Sequence, residues 1–393
     1  METIKIGEAC EILNGFAFKS ENYVDSGIRI IRIANVQKGY IEDNTPVFYP
    51  SDTIGLEKYM LEDGDLLMSL TGNVGRVAIV DKNYLPAALN QRVACLRMKT
   101  NKISKGYLFH ILNSTFFEQR CIQSANGVAQ KNMSTEWLKE LEIPLYSIEE
   151  QEQITATLNK ARKIISNRET ELQKLDDLIK AQFVEMFGDP SDNPMGWPVV
   201  NINEVIGGKV SNGFFAKRDD YCDNGNVQVL GVVNVVNRMY SGVKDLPKTN
   251  GASADIAKYG VKYGDMLFCR SSLVAEGIGK ASIVPEHTDD NVLFECHVIR
   301  LPLDLEKCVP EFMQVLSTTD YFRRQIIAQS KTATMTTIGQ DGILKSSIIL
   351  PPIEKQREFY DFVKQLDKSK SVVQKALDEA QLLFDSLMQK YFS

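Results

Sequence analysis

Two long segments of the chain repeat the same apolar pattern, and an offset of 205 residues superimposes them. Segment 148–187 maps onto segment 353–392 without an insertion or a deletion. Apolar residues recur in both at alternating steps of four and three, which is the spacing of a coiled-coil seam. They are Ile154, Leu158, Ala161, Ile165, Leu172, Leu175, Ile179 and Met186 in the first segment, and Phe359, Val363, Leu366, Val373, Leu377, Ala380, Phe384 and Tyr391 in the second. Arg168 and Lys370 interrupt the seam. The pattern predicts two long helices that pack along matched seams.

Chain direction determines how these helices pair. The first helix leaves one domain and ends where a second domain begins, so the second helix must run back if the two seams are to bury each other. We therefore expect an antiparallel coiled coil with one domain at each end. About 35 residues at a rise of about 1.5 Å give each helix a length of roughly 50 Å.

The chain is long enough for two domains, because a single hydrophobic core rarely grows past about 250 to 300 residues. Short β-branched runs and turn residues alternate before the first helix, with one helical stretch near residues 106–123. The same order recurs more loosely after it, and Asn14-Gly15-Phe16 matches Asn212-Gly213-Phe214. The sequence predicts an α+β protein with a pseudo-twofold internal repeat of two similar mixed α/β domains. Its segments are a first domain (1–147), a first long helix (148–187), a linker (188–198), a second domain (199–352) and a second long helix (353–393).

Composition narrows the class of protein only slightly. Hydrophobic residues make up 44% of the chain and charged residues 24%, which is ordinary for a globular protein. No segment resembles a secretion signal or a membrane span, and seven scattered cysteines without a CxxC spacing indicate free thiols. We therefore expect a cytoplasmic protein. The net charge is −6 and each domain is close to neutral, so nucleic-acid binding would have to depend on local patches.

The sequence gives little support to catalysis. The three histidines have no metal-ligand spacing, and the motifs Gly-x-Ser-x-Gly and His-Glu-x-x-His are absent from the sequence. Gly64-Asp65 and Gly264-Asp265 are better interpreted as turns that enter strands than as paired catalytic carboxylates. We predict that the chain is not an enzyme and binds neither a metal nor a cofactor.

The arrangement resembles the specificity subunit of type I restriction-modification enzymes over essentially the whole chain. The doubled plan carries the resemblance, together with two motifs at the helix starts and one at the junction. The motifs are Pro144-Leu145-Tyr146-Ser147-Ile148-Glu149-Glu150-Gln151, its echo Pro351-Pro352-Ile353-Glu354-Lys355-Gln356, and the junction from Met186-Phe187-Gly188-Asp189-Pro190 to Asn193-Pro194-Met195-Gly196-Trp197.

The resemblance implies a function and a set of partners. Each domain would be a target recognition domain that reads one half of an asymmetric, interrupted site in double-stranded DNA. The helices would separate the domains, set the unread spacer and dock two methyltransferase subunits, which carry S-adenosylmethionine. Restriction and translocase subunits would complete the complex. The helix length exceeds one turn of B-DNA, about 34 to 36 Å, so two domains held this way could reach successive segments of one duplex face.

The candidate DNA-binding residues are amides, hydroxyls, cations and aromatics in loops. Amides and cations read base edges, while small residues and hydroxyls approach phosphates. In the first domain they are Asn14, Phe16, Lys19, Ser69, Thr71, Asn73, Arg76, Asn90, Gln91, Arg92, Gln130, Lys131 and Asn132. In the second they are Asn212, Phe214, Lys217, Arg218, Arg270, Ser271, Ser272, Lys280, His297, Lys331 and Thr334. The alternative is that these residues are structural. The aromatics would then lie in the core, the loops would be simple hairpin turns, and the polar side chains would only be solvated.

Two other functions are compatible with the sequence. The specificity subunit of a system that cuts on both sides of its site would have the same architecture. A bivalent scaffold for two proteins is a different class, and it predicts apolar anchors in the variable loops. These loops are instead rich in Asn, Gln, Thr, Ser, Lys and Arg, which favours DNA.

Overall fold

The structure is a computed structural model that describes residues 2–124 and 132–392. The chain forms two compact units. Unit 1 consists of Met1–Thr170 together with Gln374–Ser393, and unit 2 consists of Glu171–Val373. Each long helix therefore begins in one unit and ends in the other.

Unit 1 is a mixed α/β domain built on short strands. The strands are β1 Thr3–Lys5, β2 Cys10–Asn14, β3 Ile28–Ile31, β4 Phe48–Tyr49, β5 Leu66–Ser69, β6 Val77–Ile79, β7 Ala87–Leu89, β8 Val93–Met98 and β9 Glu142–Pro144. The helices are α1 Ile6–Ala9, α2 Lys105–Leu112, α3 Thr115–Ser124, α4 Thr135–Glu140 and the first long helix, α5 Ile148–Phe187. The strands form an antiparallel sheet β2-β8-β5-β6, a sheet β4-β3-β7 in which β3 and β7 are parallel, and the pair β1-β9.

Unit 2 repeats this plan. Its strands are β10 Val199–Asn201, β11 Ser211–Asn212, β12 Val227–Leu230, β13 Lys248–Thr249, β14 Asp265–Cys269, β15 Ser271–Ser272, β16 Ala281–Ile283, β17 Val292–Phe294, β18 Val298–Pro302, β19 Lys331–Thr332, β20 Thr336–Thr337 and β21 Ser347–Ile349. Its helices are α6 Val232–Val235, α7 Ser253–Tyr259, α8 Pro310–Thr318, α9 Asp320–Gln329, α10 Gln340–Leu344 and the second long helix, α11 Ile353–Phe392. The sheets are β11-β18-β14-β16, β13-β12-β17 with β12 and β17 parallel, β10-β21 and β15-β20-β19.

The two units share strand order as well as strand number in three of these sheets. The sheet β2-β8-β5-β6 corresponds to β11-β18-β14-β16, the sheet β4-β3-β7 to β13-β12-β17, and the pair β1-β9 to β10-β21. In each unit one strand pair of the three-stranded sheet is parallel, so even the exception to antiparallel pairing recurs. The predicted α+β fold with an internal repeat is confirmed.

One predicted helix is two. The stretch 106–123 breaks between α2 and α3, where the Ser114 hydroxyl donates to the Ile111 carbonyl at 2.7 Å and accepts the Phe117 amide N–H at 3.2 Å. This serine ends one helix and starts the next, because its short side chain satisfies backbone groups at both helix ends. Phe116 in the first turn of α3 is 39% exposed, whereas its neighbour Phe117 is buried.

The long helices pack in opposite directions where they meet in unit 2. Asp176 of α5 bonds Lys370 of α11 at 2.6 Å, and Phe183 of α5 packs on Phe359 of α11 with ring centroids 5.7 Å apart. Residue numbers rise along one helix as they fall along the other, so the pair is antiparallel, as predicted. Lys370 is the polar residue that interrupts the seam. Its ion pair with Asp176 gives this interruption a role in fixing the register of the pair.

The final turns of both helices pack differently from the heptad prediction. Met186 and Tyr391, the predicted seam residues, are half-buried. The residues that are buried instead are Phe183 and Phe187 at the end of α5, and Met388 and Phe392 at the end of α11. A spacing of four residues is typical of a helix that lies on a globular core rather than along a second helix. Phe187 packs on Phe312 of unit 2, and Phe392 packs on Tyr107 of unit 1, with ring centroids 4.9 and 5.6 Å apart.

The start of α5 is attached to unit 1 by one buried glutamine. The Gln151 side-chain oxygen accepts the Ser104 amide N–H at 2.7 Å. Its side-chain nitrogen donates to the carbonyls of Lys102 and Tyr146 at 3.0 and 2.9 Å. Because the side chain is fully buried, these three bonds satisfy the amide without water.

The start of α11 is attached to unit 2 in the same way. The Gln356 side-chain oxygen accepts the Val309 amide N–H at 2.9 Å, and its nitrogen donates to the carbonyls of Lys307 and Pro351 at 3.3 and 2.8 Å. All three partners follow the 205-residue offset from the partners of Gln151. The repeat therefore extends to individual hydrogen bonds, and we call this arrangement the glutamine clamp.

The junction after α5 is a compact cap. Gly188 ends the helix with a positive φ of 76°, and its amide N–H donates to the Val184 carbonyl at 2.8 Å. The Trp197 indole N–H donates to the Phe187 carbonyl at 3.0 Å, which pairs one of the carbonyls that a helix end leaves free.

None of the helices in the described stretches of the chain combines the length and the apolar character that a membrane crossing requires.

The glutamine clamp predicts a large effect of a small substitution. Gln356→Met keeps the shape of the side chain but leaves one amide N–H and two carbonyls unpaired in a dry site. We expect a loss of about 3 kcal/mol in the free energy of unfolding, since each buried unpaired group costs about 1 to 3 kcal/mol. Urea denaturation followed by circular dichroism measures this change. The matched control is Glu354→Met on the exposed first turn of α11, and equal midpoints for the two variants would contradict the prediction.

A buried histidine in unit 1 predicts that the stability of the fold depends on pH. Burial lowers the pKa of His110 to about 4, against an opposing hydrogen bond to the Asn159 side chain at 2.8 Å. The unfolded chain therefore binds a proton at His110 as the pH falls through about 6.5, whereas the folded chain binds it only near pH 4. Stability should fall as the pH drops from about 6.5 to about 4, by up to about 3 kcal/mol.

Urea midpoints at several pH values test this expectation. His110→Gln removes the titrating group, so its midpoint should change less than that of the natural chain between pH 7 and pH 5. Parallel curves for the two proteins would show that His110 does not supply the dependence.

Candidate nucleic-acid interface

In unit 1, the ends of neighbouring strands bring several predicted residues into one row. The Gln91 amide N–H donates to the Phe16 carbonyl at 3.0 Å, which joins the segment after β2 to the turn before β8. Thr71, just after β5, forms an isolated antiparallel bridge with Asn132. We call this row the unit 1 ridge, and its members are Phe16, Thr71, Asn90, Gln91, Arg92 and Asn132.

Unit 2 builds a row at the same place in its fold. The Arg270 guanidinium donates to the Cys296 carbonyl at 3.3 Å, and the His297 ring nitrogen Nδ1 lies 3.2 Å from the Ser271 hydroxyl oxygen. Ser271 in turn pairs with Thr337 in the sheet β15-β20-β19. We call this row the unit 2 ridge, and its members are Phe214, Arg270, Ser271, Ser272, Glu295, Cys296, His297, Lys331, Thr332, Thr336 and Thr337.

The repeated Asn-Gly-Phe motif is explained by a close approach of two backbones. A Cβ on Gly15 would lie 2.2 Å from the Asn90 carbonyl oxygen, and a Cβ on Gly213 would lie 2.2 Å from the Glu295 carbonyl oxygen. Only glycine leaves room for this contact. The motif is therefore the point at which the segment carrying Phe16 or Phe214 is held against the rest of its ridge.

Most of the predicted side chains reach solvent. The exposed ones are Asn14, Phe16, Lys19, Asn73, Gln91, Arg92 and Asn132 in unit 1, and Lys217, Arg218, His297, Lys331 and Thr334 in unit 2. The half-buried ones are Thr71, Arg76, Asn90, Asn212, Phe214, Arg270, Ser271, Ser272 and Lys280. Gln130 and Lys131 lie outside the described residues.

Ser69 differs from the other predicted residues, because it is buried. Its hydroxyl donates to the Asn73 carbonyl at 2.5 Å and accepts the Arg76 amide N–H at 3.0 Å. Both bonds lie within the loop 69–76. In this conformation the hydroxyl holds the loop together instead of facing a phosphate.

Two predicted cations are also held inside their units. The Arg76 guanidinium donates to the Gln37 side-chain oxygen at 2.6 Å, and the Lys280 ammonium donates to the Asn237 side-chain oxygen at 2.7 Å. The two cations occupy equivalent positions after Gly75 and Gly279. Each one braces its loop against a neighbouring segment of its own unit, at Gln37 in unit 1 and at Asn237 in unit 2. The exposed cations Arg92 and Lys331 are therefore better placed to meet a ligand.

The strands are equivalent in the two ridges, but the side chains they present are not. Asn90, Gln91 and Arg92 lead into β8, whereas Glu295, Cys296 and His297 lead into β18 at the 205-residue offset. Two amides and a guanidinium are replaced by a carboxylate, a thiol and an imidazole. Groups of such different hydrogen-bonding character read different base edges.

Glu295 and Cys296 are ridge residues that sequence reasoning missed. The sequence prediction rests on cations, amides, hydroxyls and aromatics, and a carboxylate or a thiol belongs to none of these groups. The 205-residue offset was a sufficient signal, because it aligns both with Asn90 and Gln91. One side-chain oxygen of Glu295 accepts the Val232 amide N–H at 2.7 Å, so part of its bonding capacity is used within the fold.

Residues 2–124 and 132–392 contain no group of three or more His, Cys, Asp or Glu side chains that could hold a metal ion. The histidine of the unit 2 ridge, His297, has its ring nitrogen Nδ1 at 3.2 Å from the Ser271 hydroxyl oxygen.

Comparisons with known proteins agree with the doubled fold. The model of the family described as the type I restriction modification DNA specificity domain matches residues 1–176 and 194–381, once in each half of the chain. The specificity subunit of the type I restriction enzyme EcoBI of Escherichia coli is 23% identical over 424 residues, which cover 99% of this chain and 85% of that protein. The EcoAI specificity subunit, also from Escherichia coli, is 34% identical over 194 residues, covering 46% of this chain and 33% of that protein.

One solved structure shows a similar fold. It is the S subunit of a type I restriction-modification system from M. genitalium, with a TM-score of 0.54 and 14% sequence identity. The match covers 100% of this chain and 96% of that one.

The ridge geometry predicts unequal effects of two arginine substitutions. Arg92→Ala should weaken binding to a specific duplex by roughly 10- to 100-fold, because a bidentate contact to a base edge is worth about 1 to 3 kcal/mol. Arg76→Ala should weaken it much less, since Arg76 is engaged with Gln37. Competition binding at fixed salt, with the chain in complex with its partner subunits, measures both. Equal losses for the two variants would mean that bulk charge, and not ridge position, governs binding.

Proposed function

The chain belongs to the type I restriction modification DNA specificity family, and from that membership we propose that its two units read two different halves of one interrupted, asymmetric site in double-stranded DNA. Unit 1 reads one half through the unit 1 ridge, and unit 2 reads the other through the unit 2 ridge. The chain supplies recognition, and its partners supply the chemistry.

The observation that carries this proposal is the contrast between the two ridges. Equivalent strands present Asn90, Gln91 and Arg92 in one unit, and Glu295, Cys296 and His297 in the other. Two identical active sites would require the same polar residues twice. Two readers of unlike base sequences require the same backbone with different side chains, which is the arrangement seen here.

The long helices have a separate role in the proposal. They set the number of unread base pairs between the half-sites and dock two methyltransferase subunits, which carry the S-adenosylmethionine that this chain does not bind. Restriction and translocase subunits join the same complex, which acts in the cytoplasm. Both domains are close to neutral, so much of the phosphate contact comes from these partners.

Sequencing of the methylated bases in cells tests whether each unit reads its own half of the site. The cells would express this chain with its methyltransferase. We expect one two-part methylated motif. Exchange of residues 1–145 for those of a relative with another specificity should change one half of the motif and leave the other half and the spacer intact.

The reciprocal exchange of residues 199–350 is the matched control and should change only the opposite half. Residues Tyr107 and Phe312 should be retained in the donor segments, because each packs on the end of a long helix. A motif whose two halves change together, or the absence of any motif, would contradict the proposal.

A further inference from the structure

The loop between β14 and β16 in unit 2 is longer than its counterpart in unit 1. Nine residues, 270–278, separate Cys269 from Gly279, whereas five residues, 70–74, separate Ser69 from Gly75. The loop ends are equivalent, because the amide N–H of Gly75 donates to Ser69 at 2.9 Å and that of Gly279 donates to Cys269 at 2.8 Å. Unit 2 therefore carries a four-residue insertion beside its ridge.

This insertion exposes apolar side chains that the shorter loop keeps inside. Leu273 is 83% exposed and Val274 is 58% exposed, while Leu70 and Val74 of unit 1 are buried at 9% and 5%. A single exposed apolar residue needs no explanation, but two adjacent ones at the tip of an insertion do.

A third apolar residue joins them from the neighbouring hairpin. Ser272 pairs with Thr336 in an antiparallel register at the end of the ladder, and the next residues of the two segments are Leu273 and Met335. Met335 is 38% exposed. We call Leu273, Val274 and Met335 the apolar tip.

Hydrogen bonds hold the insertion in place. The Arg323 guanidinium donates to the Glu276 carbonyl at 3.1 Å, and the Val274 amide N–H donates to the Ser272 hydroxyl at 3.3 Å. The residue that closes the loop, Ile278, is fully buried. The exposed side chains thus project from a braced loop and not from a free one.

The setting of the apolar tip favours a polyanion over a protein as its occupant. It continues directly from Ser271 and Ser272 of the unit 2 ridge. Arg270 precedes it in the chain, and Lys331 lies on the strand paired beside it, opposite Thr337. These two cations outnumber Glu276, the one acidic residue of the loop 270–278, and cations beside a small apolar point suit a duplex, which offers phosphates outside and apolar base faces within.

We propose that the apolar tip enters the base stack of the half-site read by unit 2 and unstacks one base step there. This inference rests on the proposed function. Apolar side chains such as Leu and Met wedge between base steps in other DNA-binding proteins, at a cost that depends on the step. The tip would thereby add a preference for an easily unstacked step, and the half-site read by unit 1 would lack this preference.

Fluorescence of 2-aminopurine, which rises when the base unstacks, tests the proposal in the complex of the full chain with its methyltransferase subunits. The probe is placed in turn at each position of the cognate duplex except the methylated base, which the methyltransferase itself can flip. We expect a rise at one step in the unit 2 half. The double variant Leu273→Ala, Val274→Ala should abolish this rise and bind about tenfold more weakly.

Leu305→Ala is the matched control. Leu305 is 43% exposed and lies beside Gly264, at the end of β14 away from the ridge. It should leave both the fluorescence and the affinity unchanged.

Three outcomes would overturn the wedge. The first is unchanged binding and fluorescence in the double variant. The second is a loss of affinity that is reproduced by replacing thymine with uracil and has no fluorescence change, which would place the tip against a thymine methyl group. The third is a loss of a protein subunit from the complex, which would make the tip a protein contact. A natural complex with no sequence preference at all would instead contradict the proposed function.

Discussion

A single side-chain amide fixes each long helix to its domain, and the geometry of each unit depends on it. Gln151 and Gln356 sit in the dry space between a helix start and the domain that precedes it, where every amide group finds a backbone partner. Hydrophobic packing alone tolerates sliding, because it has no direction. Three hydrogen bonds in fixed directions do not allow the helix to slide on the domain. The first turn of the helix is therefore set in both position and rotation relative to the strands that carry the ridge.

This rigidity explains how one scaffold carries two ridges with different side chains. The strands, the turn glycines and the clamp are repeated, whereas the side chains of the ridges are free to differ. Gly15 and Gly213 illustrate the separation of roles: both are required by the close backbone approach behind them, yet the approaching residue is Asn90 in one unit and Glu295 in the other. If the ridges read DNA as proposed, specificity changes by substitution on the ridge without a change in the fold.

The sequence predicted the features that depend on long, regular spacing and missed those that depend on local or cross-chain contacts. Forty residues of heptad pattern were enough for two antiparallel helices. The partner of Lys370 was not predictable, because the register of an antiparallel pair decides which residue faces it. The inward bonds of Ser69 and Arg76 were hidden for a similar reason, since a loop sequence does not say which hydroxyl the loop uses for itself. Ser114 split a predicted helix because a serine serves equally as an interior residue or as a cap. The assignment of individual ridge residues to DNA stays a prediction.

Unit 1 is built from two stretches that lie far apart in the sequence, and this affects its folding during translation. Phe392 and Met388 complete the core around Tyr107 and Leu158, yet they are translated only after all of unit 2. At about 5 to 20 residues per second, the ribosome takes roughly 10 to 40 s to add the roughly 200 intervening residues. Throughout that interval the earlier half carries an uncovered apolar surface, which is the kind of surface that chaperones recognise and that promotes misassembly between nascent chains.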